Sequence, residues 1–264
     1  MCDDISLIPP ASSFHRPPTT SERLAVRERP SARTVMRQSW RELLFLHWKV
    51  DPAEIQRLLP ERLTVDTYDS AAWVGIVPFF MCNVRPVWAP SVPGLSNFLE
   101  LNVRTYVYDA NGVPGVWFFS LDANNPIAVV IAQKIFKLPY FHARMRARAT
   151  PATVDYWSQR GELEPDHFVY QPVGPERLAE IDSLDFFLLE RYLLYTYHGH
   201  RIYTGRVHHD PYRLREVKVL EYGNQLLAPA GLRTCGGIYD HSAYVDHVNV
   251  DIFGLKELKA NNQK

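Results

Sequence analysis

Cysteine is scarce in this sequence, with only Cys2, Cys82 and Cys235 among 264 residues and no Cys-x-x-Cys pair. An odd number of widely spaced cysteines does not suit a disulfide framework or a cysteine-ligated zinc site. The first residues, MCDDISLIPP, are acidic where a secretory signal would be basic. The Arg- and Ser-rich stretch 16–41 has some transit-peptide character, but Asp3 and Asp4 argue against one. We therefore expect a reduced, cytoplasmic protein.

Long apolar runs and an excess of one charge are also missing. No hydrophobic stretch is long enough to span a bilayer. Lysine plus arginine and aspartate plus glutamate each number 29, so the formal net charge is zero. A balanced chain has no general attraction for nucleic acid or anionic membranes. We predict neither kind of partner.

The common catalytic signatures are absent as well. The sequence has no Gly-x-Ser-x-Gly elbow, no glycine-rich phosphate loop, no Rossmann fingerprint and no metalloprotease motif. Cys235 lies near Asp240 and His241, which superficially suggests a nucleophile with a base. A lone cysteine beside two glycines is more typical of a small residue in a turn. These absences disfavour the usual hydrolases, kinases and dehydrogenases.

Histidines invite a metal interpretation, and the ones considered are His198, His200, His208, His209, His241 and His247. A hairpin turning at Gly199-His200 would place His208 about eight residues along a strand, roughly 26 Å away at ~3.3 Å per residue. A shared site within that hairpin is therefore disfavoured. A smaller site that combines His208, His209 or Asp210 with a distant ligand is left open. We predict no metal and no cofactor.

One domain accounts for the ordered part of the chain. Residues 1–35 contain few large apolar side chains and are predicted to be disordered, and residues 257–264 are predicted to fray. Residues 36–256 show no linker and no internal repeat, so we predict a single domain. Strand patterns outnumber helical ones about three to one, which predicts a mostly β, α+β fold.

Three helices are predicted from their capping residues. Asp51 and Asn125 each precede a proline, an arrangement typical of a helix start, and Ser183 caps a third helix in SLDFFLLERYLL. Strands are predicted at RELLFLHWKV, AAWVGIVPFFM, FLELNVRTYVYD, GVWFFSLDA, FHARMRARAT and HFVYQPV, with hairpin turns at DANG and Gly199-His200.

Several long motifs carry a family resemblance: LLFLHWKVDPAEIQRLLPERLTVDTYDSAAWVGIVPF, FLELNVRTYV, GVWFFSLDA, KLPYFHARM and LLERYLLY. From about residue 38 to 253 the chain resembles the YqjF-type family, bacterial proteins of unknown function grouped with acetoacetate decarboxylase-like proteins. The resemblance implies a closed, cone-like antiparallel β-barrel with a few peripheral helices and an interior of ligand size.

The resemblance also implies that the Schiff-base lysine is missing. In the decarboxylases that lysine follows a proline, and the matching Pro139 is followed here by Tyr140 and Phe141. Lys134 and Lys137 lie three residues apart in the last turn of a predicted helix, where positive charge favours the helix dipole. We interpret them as helix-end charges, with a Schiff-base role for either as the alternative.

The strand FLELNVRTY is the best candidate for a ligand-binding site. Glu100, Asn102 and Arg104 share one of its faces by alternation. Glu100 also matches the position of a pocket glutamate in the decarboxylases. The alternative is a solvent-facing strand with weak surface ion pairs.

A basic face follows in FHARMRARAT, where His142, Arg144, Arg146 and Arg148 alternate. Such a face could bind a carboxylate or phosphate, but a solvated strand face is at least as consistent with the pattern. We carry forward Arg144 as a ligand contact and His142, with Tyr140, as acid–base candidates.

The predicted function is binding of a small carboxylate- or carbonyl-bearing molecule inside the barrel. Glu100, Asn102, Arg104 and Arg144 would contact the ligand, and Tyr140 and His142 would act as acid–base groups if the protein is an enzyme. Two alternatives remain: a Schiff-base decarboxylase using Lys134 or Lys137, and a non-catalytic protein that binds partners through its N-terminal tail. The sequence does not show whether the protein turns over a substrate or which oligomeric state it adopts.

Overall fold

The computed structural model describes residues 16–232 and 237–259, and it is mostly β, as predicted. Its strands are β1 (Thr34–Val50), β2 (Leu63–Val65), β3 (Ala72–Pro86), β4 (Phe98–Asp109), β5 (Pro114–Ala123), β6 (Tyr140–His142), β7 (Arg144–Ala149), β8 (Val154–Gln159), β9 (Asp166–Arg177), β10 (Leu193–His198), β11 (Arg201–His208), β12 (Leu214–Glu221), β13 (His241–Phe253) and β14 (Lys256–Glu257). Its helices are α1 (Thr20–Ala25), α2 (Pro52–Gln56), α3 (Pro126–Ile135) and α4 (Leu184–Leu189).

Within the described residues all the strands belong to one sheet. The order along its main path is β14-β11-β10-β5-β4-β3-β1-β13-β12-β9-β8-β7, while β2 pairs with β4 and β6 pairs with β5. An additional pairing joins β11 to β13, through Val207 with Ile252 and His208 with Asp251. Most pairings are antiparallel, but β5 pairs in parallel with both β10 and β6.

The central strands β1, β3 and β4 are buried on both faces over much of their length, and all twelve residues of β4 are buried. On β1, Leu43 and Phe45 join one apolar cluster while Leu44 and Leu46 join another. The same alternation runs along β3 and β4. We call β1, β3 and β4 together the wall. The cluster that contains Leu43 and Phe45 surrounds an internal cavity, and we call it the cavity-side cluster; the cluster that contains Leu44 and Leu46 is the outer cluster.

The strands β12, β9, β8 and β7 supply much of the outer cluster. Tyr156 on β8 and Tyr170 on β9 are fully buried in it. The Tyr156 hydroxyl donates to the carbonyl oxygen of Glu100 at 2.8 Å, and the Tyr170 hydroxyl donates to the carbonyl oxygen of Glu42 at 2.7 Å. These two bonds attach the outer strands to the backbone of β4 and β1.

The predicted helix starts agree with the structure. Asp51, Asn125 and Ser183 each accept a hydrogen bond from a first-turn backbone N–H. Helix α4 ends earlier than its apolar pattern suggests, at Leu189, and the chain continues from Leu193 as β10. The hairpin between β10 and β11 turns at Gly199 and His200, which have φ of 56° and 63°, as a tight two-residue turn requires.

Part of the predicted disordered tail is ordered. Helix α1 begins with a capping box formed by Thr19 and Glu22. Its Arg23 makes a bidentate ion pair with the buried Asp66, at 2.7 and 2.8 Å. This buried pairing anchors a segment that has little apolar surface of its own. Residues 1–15 lie outside the described residues.

No helix in the described parts of the chain is long and apolar enough to cross a membrane. Of the cysteines, Cys82 is half-buried on β3 and unpaired. The predicted turn around Cys235 and the residue Cys2 fall outside the described residues.

Candidate functional site

An internal cavity of about 400 Å³ lies on the cavity side of β1, β3 and β4, and α3 covers part of it. Its lining is mostly apolar and aromatic. The charged and amide side chains among the described lining residues are Gln38, Arg85, Glu100, Asn102, Arg104, Arg191 and Arg206. A mostly apolar cavity with a few convergent polar groups is the usual form of a small-molecule site.

The polar groups of β4 share one face of the wall. Glu100, Asn102 and Arg104 all line the cavity and are 3%, 5% and 8% exposed. Leu101 and Val103 point the other way, into the outer cluster. The alternation predicted for this strand is therefore present, and the structure brings its three candidate residues together.

Tyr140 lies beside this group although it is on a different strand, β6. Strand β6 pairs in parallel with β5, which places Tyr140 opposite Leu121. The side chain of Gln133 on α3 donates to the Tyr140 carbonyl at 2.7 Å and fixes the backbone there. The Tyr140 hydroxyl donates to Glu100 Oε2 at 2.6 Å.

Burial dominates the titration of this pair. It raises the pKa of Glu100 from 4.5 to about 7, with a small further rise from Asp122, although the hydrogen bonds from Tyr140 and Asn102 oppose the shift. The pKa of Tyr140 is raised well above its usual value by burial and by the neighbouring carboxylate. Glu100 can therefore exchange a proton near neutral pH, as a general acid or base must.

Two buried arginines supply positive charge. Arg104 donates through Nη2 to the carbonyl oxygen of Leu188 at 3.2 Å and to the Tyr106 hydroxyl at 3.4 Å. Arg191, just after α4, donates to the Phe187 carbonyl at 2.6 Å and pairs with Asp66 at 2.9 Å. Burial lowers the pKa of Arg191 to about 10, so this guanidinium stays cationic at neutral pH.

Several buried polar atoms of the lining have no hydrogen-bond partner among the described residues. They are Oδ1 of Asn102, Nε of Arg104, Nη2 of Arg191 and Nε of Arg206. Unpaired buried donors and acceptors are uncommon and costly in folded proteins. All four atoms belong to residues that line the cavity.

The sequence from residue 37 to 249 matches the DUF2071 family, described as "Uncharacterized conserved protein (COG2071)". The chain belongs to the DUF2071 family. It is also 41% identical over 191 residues to the uncharacterized protein YqjF of Bacillus subtilis, covering 72% of this chain and 78% of that protein. The predicted family resemblance is confirmed.

Solved structures similar to this DUF2071 protein are acetoacetate decarboxylase-like. One is an acetoacetate decarboxylase-like enzyme from Sphingomonas wittichii, with a TM-score of 0.62, 12% identity, and coverage of 86% of this chain and 94% of that one. Another is the enduracididine biosynthesis enzyme MppR complexed with pyruvate, with a TM-score of 0.61, 12% identity, and coverage of 88% and 93%. At this identity the similarity establishes the fold alone.

Two predicted site residues of the DUF2071 chain lie elsewhere. His142 and Arg144 are exposed, and neither is part of the cavity lining. The predicted single strand is broken at Ala143 into β6, which pairs with β5, and β7, which pairs with β8. Arg144 donates to the Gln159 side chain at 2.8 Å on that outer surface. We assign neither residue a role in the cavity.

The two candidate lysines also lie outside the cavity. Lys134 is exposed on α3. Lys137 has a positive φ of 53°, its Nζ lies 5.1 Å from the Tyr203 ring centroid, and it lines a separate, open groove on the outer side of β5. The described lining of the cavity contains no lysine.

The histidines occupy several unrelated positions. His198 and His200 are exposed at the hairpin, while His209 is buried against the rings of Tyr192 and Tyr212. In the parts of the chain that the structure describes, no three histidine, cysteine or acidic side chains are grouped in a way that could hold a metal ion.

Sequence reasoning missed Arg191 and Arg206. Arg191 follows α4 in a stretch that reads as continuous helix, and Arg206 lies on β11 among exposed and half-buried residues. Neither position carries a local signal, because the pairing of β10 with β5 and of β11 with β10 brings these residues to the cavity. Their role could not be seen without the tertiary structure.

We expect the titration of Glu100 to appear in the stability of the protein. Because its folded pKa is raised, the stability associated with the neutral acid is present below pH 4.5 and is lost as the pH rises through about 7. The rise in the pKa of Glu100 from 4.5 to about 7 corresponds to about 3 kcal/mol in the free energy of unfolding. Glu100→Gln should therefore become more stable relative to the wild type as the pH rises across this window, as urea unfolding can measure. The exposed Glu162→Gln is the control, and equal pH profiles for both variants would contradict the assignment.

Proposed function

We propose that the protein is a closed β-barrel that binds a small organic carboxylate in its interior, and that Glu100, which accepts a hydrogen bond from Tyr140, exchanges a proton with the bound molecule. The observation that carries this proposal is the grouping of unpaired, buried arginine and amide atoms with an acid of near-neutral pKa in one apolar cavity.

The closure of the barrel is inferred from the strand pairings. Successive neighbours lead from β13 through β1, β3, β4, β5, β10 and β11, and the pairing of β11 with β13 returns to the start. Strands that close in this way enclose one face, and here that face bears the cavity-side cluster. The acetoacetate decarboxylase-like neighbours support this architecture.

A carboxylate is the ligand group that best fits the charges. Among the described residues, Arg104 donates to neutral oxygens, and Arg191 shares the carboxylate of Asp66 with Arg23. With Glu100 protonated, the cavity lining therefore has excess positive charge. Arginine N–H groups bind carboxylates strongly, and Arg104 and Arg191 both line the cavity.

The apolar part of the lining indicates that the carboxylate carries a hydrocarbon body. Each methylene buried contributes about 0.8 kcal/mol. For straight-chain carboxylates we therefore expect the affinity to rise about fourfold per added methylene until the cavity is full.

Proton transfer beside a carbonyl group is the chemistry that Glu100 suits. In a 2-oxo acid, the Glu100 carboxylate would take a proton from C3, the carbon next to the carbonyl. The electron pair of that C–H bond would form a C=C bond, and the π pair of the carbonyl would move to its oxygen to give an enolate. The reverse step returns a proton from Glu100 to the carbon. Pyruvate, which MppR binds, belongs to this class of molecule and is a convenient probe. No imine is needed for this step.

A Schiff-base decarboxylase is less well supported, because Lys134 and Lys137 both lie outside the cavity lining. Borohydride reduction in the presence of a 3-oxo acid, followed by peptide mapping, distinguishes the two mechanisms. Covalent labelling of either lysine would favour the decarboxylase, and an unlabelled protein that still binds the acid would favour proton transfer.

The carboxylate site is tested with hexanoate and hexan-1-ol as paired probes in calorimetric titrations. Arg104→Met should weaken hexanoate binding about 10- to 100-fold, since a hydrogen bond to a charged group contributes about 1.5–3 kcal/mol. Hexan-1-ol binding should change by less than about twofold, because the alcohol has no charge to lose. Arg144→Met, on the outer surface, is the matched control. Equal losses for acid and alcohol, or no loss for either, would remove Arg104 from the site.

A further inference from the structure

A continuous chain of hydrogen bonds links Arg104 to the protein surface. The Tyr106 hydroxyl lies 3.4 Å from Arg104 Nη2 and 2.7 Å from His47 Nε2. His47 Nδ1 lies 3.0 Å from His241 Nδ1, and His241 Nε2 lies 2.8 Å from Asp185 Oδ1. Tyr106 and His47 are fully buried, whereas the side chains of His241 and Asp185 are 11% and 16% exposed.

The chemistry of the groups fixes the direction of this chain when both rings are neutral. The Asp185 carboxylate only accepts, so His241 carries its proton on Nε2 and its Nδ1 is bare. His47 must then donate from Nδ1, which leaves its Nε2 to accept from Tyr106. The Tyr106 oxygen in turn accepts from Arg104. Every hydrogen in the chain therefore points from the cavity toward the surface.

The fold makes specific room for this arrangement. His47 on β1 lies opposite Gly75 on β3, and a Cβ at Gly75 would come within 2.9 Å of His47 Cδ2. The Phe45 ring stacks parallel to the His47 ring, with the two centroids 6.4 Å apart. His47 therefore has little freedom to leave the chain.

The charged groups near the histidine pair lie on β4, α4, β9 and the segment after α4. Arg104 lies on β4, Asp185 lies on α4 and pairs with Arg177 on β9 at 2.7 Å, and Arg191 lies after α4 with its guanidinium 5.0 Å from the Tyr106 ring centroid. Burial, then His241, then Arg104 hold the pKa of His47 well below its usual value. An anion bound at Arg104 would offset that guanidinium charge and so favour protonation of the pair.

We propose that the His47–His241 pair couples anion binding in the cavity to the uptake of one proton. The extra proton places N–H groups on Nε2 of both rings and leaves one proton shared between the two Nδ1 atoms. His47 then donates to the Tyr106 oxygen, which also accepts from Arg104. Proton uptake thus reverses the bond between His47 and Tyr106 and adds a positive charge behind the arginine that faces the anion.

This inference rests on the proposed carboxylate site, and reciprocity gives it a measurable consequence. If binding an anion favours protonation, then lower pH favours anion binding by the same factor. Between pH 8 and pH 6 we expect hexanoate affinity to rise about three- to tenfold through this pair. Tyr106, His47 and His241 act here as positioning residues, because they influence the ligand through Arg104.

The experiment is calorimetric titration of hexanoate in buffers with different ionisation enthalpies, which gives the number of protons taken up on binding. Glu100→Gln serves as the background, since Glu100 also titrates near neutrality in the cavity. Proton uptake should persist when His247, exposed on the same strand as His241, is changed to Gln. It should disappear in His241→Gln and Tyr106→Phe while binding is retained.

The outcomes separate the two proposals. Hexanoate binding without proton uptake would overturn the histidine mechanism and leave the carboxylate site intact, as would uptake that persists in His241→Gln. Absence of hexanoate binding to the wild type would overturn both. Should a variant fail to fold, nitrogen-15 imidazole spectra of the unsubstituted histidines decide the matter: a second N–H on His47 must appear when hexanoate binds.

Discussion

Changing Glu100 to Gln should slow the exchange of the C3 protons of 2-oxohexanoate with deuterium oxide by about 10²- to 10⁴-fold, the range typical of a lost general base. Glutamine keeps the size of the side chain and can still accept from the Tyr140 hydroxyl, so the cavity should keep its shape. Proton NMR of the substrate follows the exchange directly and needs no net turnover.

The controls for this result isolate proton transfer from binding. Tyr140→Phe should reduce the exchange less than Glu100→Gln, because it removes only the hydrogen bond that Glu100 Oε2 accepts. Glu221→Gln, on the outer strand β12, should exchange at the wild-type rate. Exchange by Glu100→Gln at the wild-type rate, with unchanged affinity, would exclude Glu100 as the base.

Asp66→Ala should lower the free energy of unfolding by about 3–5 kcal/mol, as expected when one partner of a buried ion pair is removed. The Asp66 side chain is 1% exposed and is the carboxylate that pairs with both Arg23 and Arg191. Its loss leaves the 3%-exposed Arg191 side chain without a counter-charge. Urea unfolding with a fixed denaturant slope would measure the change.

A matched variant tests whether burial is the cause. Asp251 pairs with Arg29 and Arg37, but its side chain is 21% exposed and the arginines are more than half exposed, so Asp251→Ala should cost less than about 1 kcal/mol. Arg191→Met combined with Asp66→Ala should recover part of the loss, since the unpaired buried charge is then gone. Equal costs for Asp66→Ala and Asp251→Ala would contradict the burial argument.

The sequence was most informative where local rules and burial agree. Strand β4 begins at Phe98 and ends at Asp109, as the alternating pattern predicted, and its even-numbered polar residues share the cavity. The Asp-Pro and Asn-Pro starts of α2 and α3 were equally clear, because a side-chain cap and a proline act within one turn. The resemblance added what periodicity could not, namely that the polar face of β4 looks inward.

The sequence was least informative where distant segments meet. Arg191 was hidden in a stretch that reads as helix, and its counter-charge Asp66 lies 125 residues earlier. His47 and His241 are 194 residues apart, so no local pattern links them. The ordered part of the N-terminal segment follows the same logic, since the ion pair between Arg23 and Asp66 supplies the stability that its own composition lacks.

The wall formed by β1, β3 and β4 separates two packed regions with alternate residues of the same strands. Substitutions at Glu100, Asn102 and Arg104 alter the cavity lining, whereas those at Leu99, Leu101 and Val103 alter the packing of the outer cluster. The two sets are therefore largely independent routes of change. The cavity lining can change while the outer half of the wall stays intact, and a library aimed at the cavity can be confined to alternate positions.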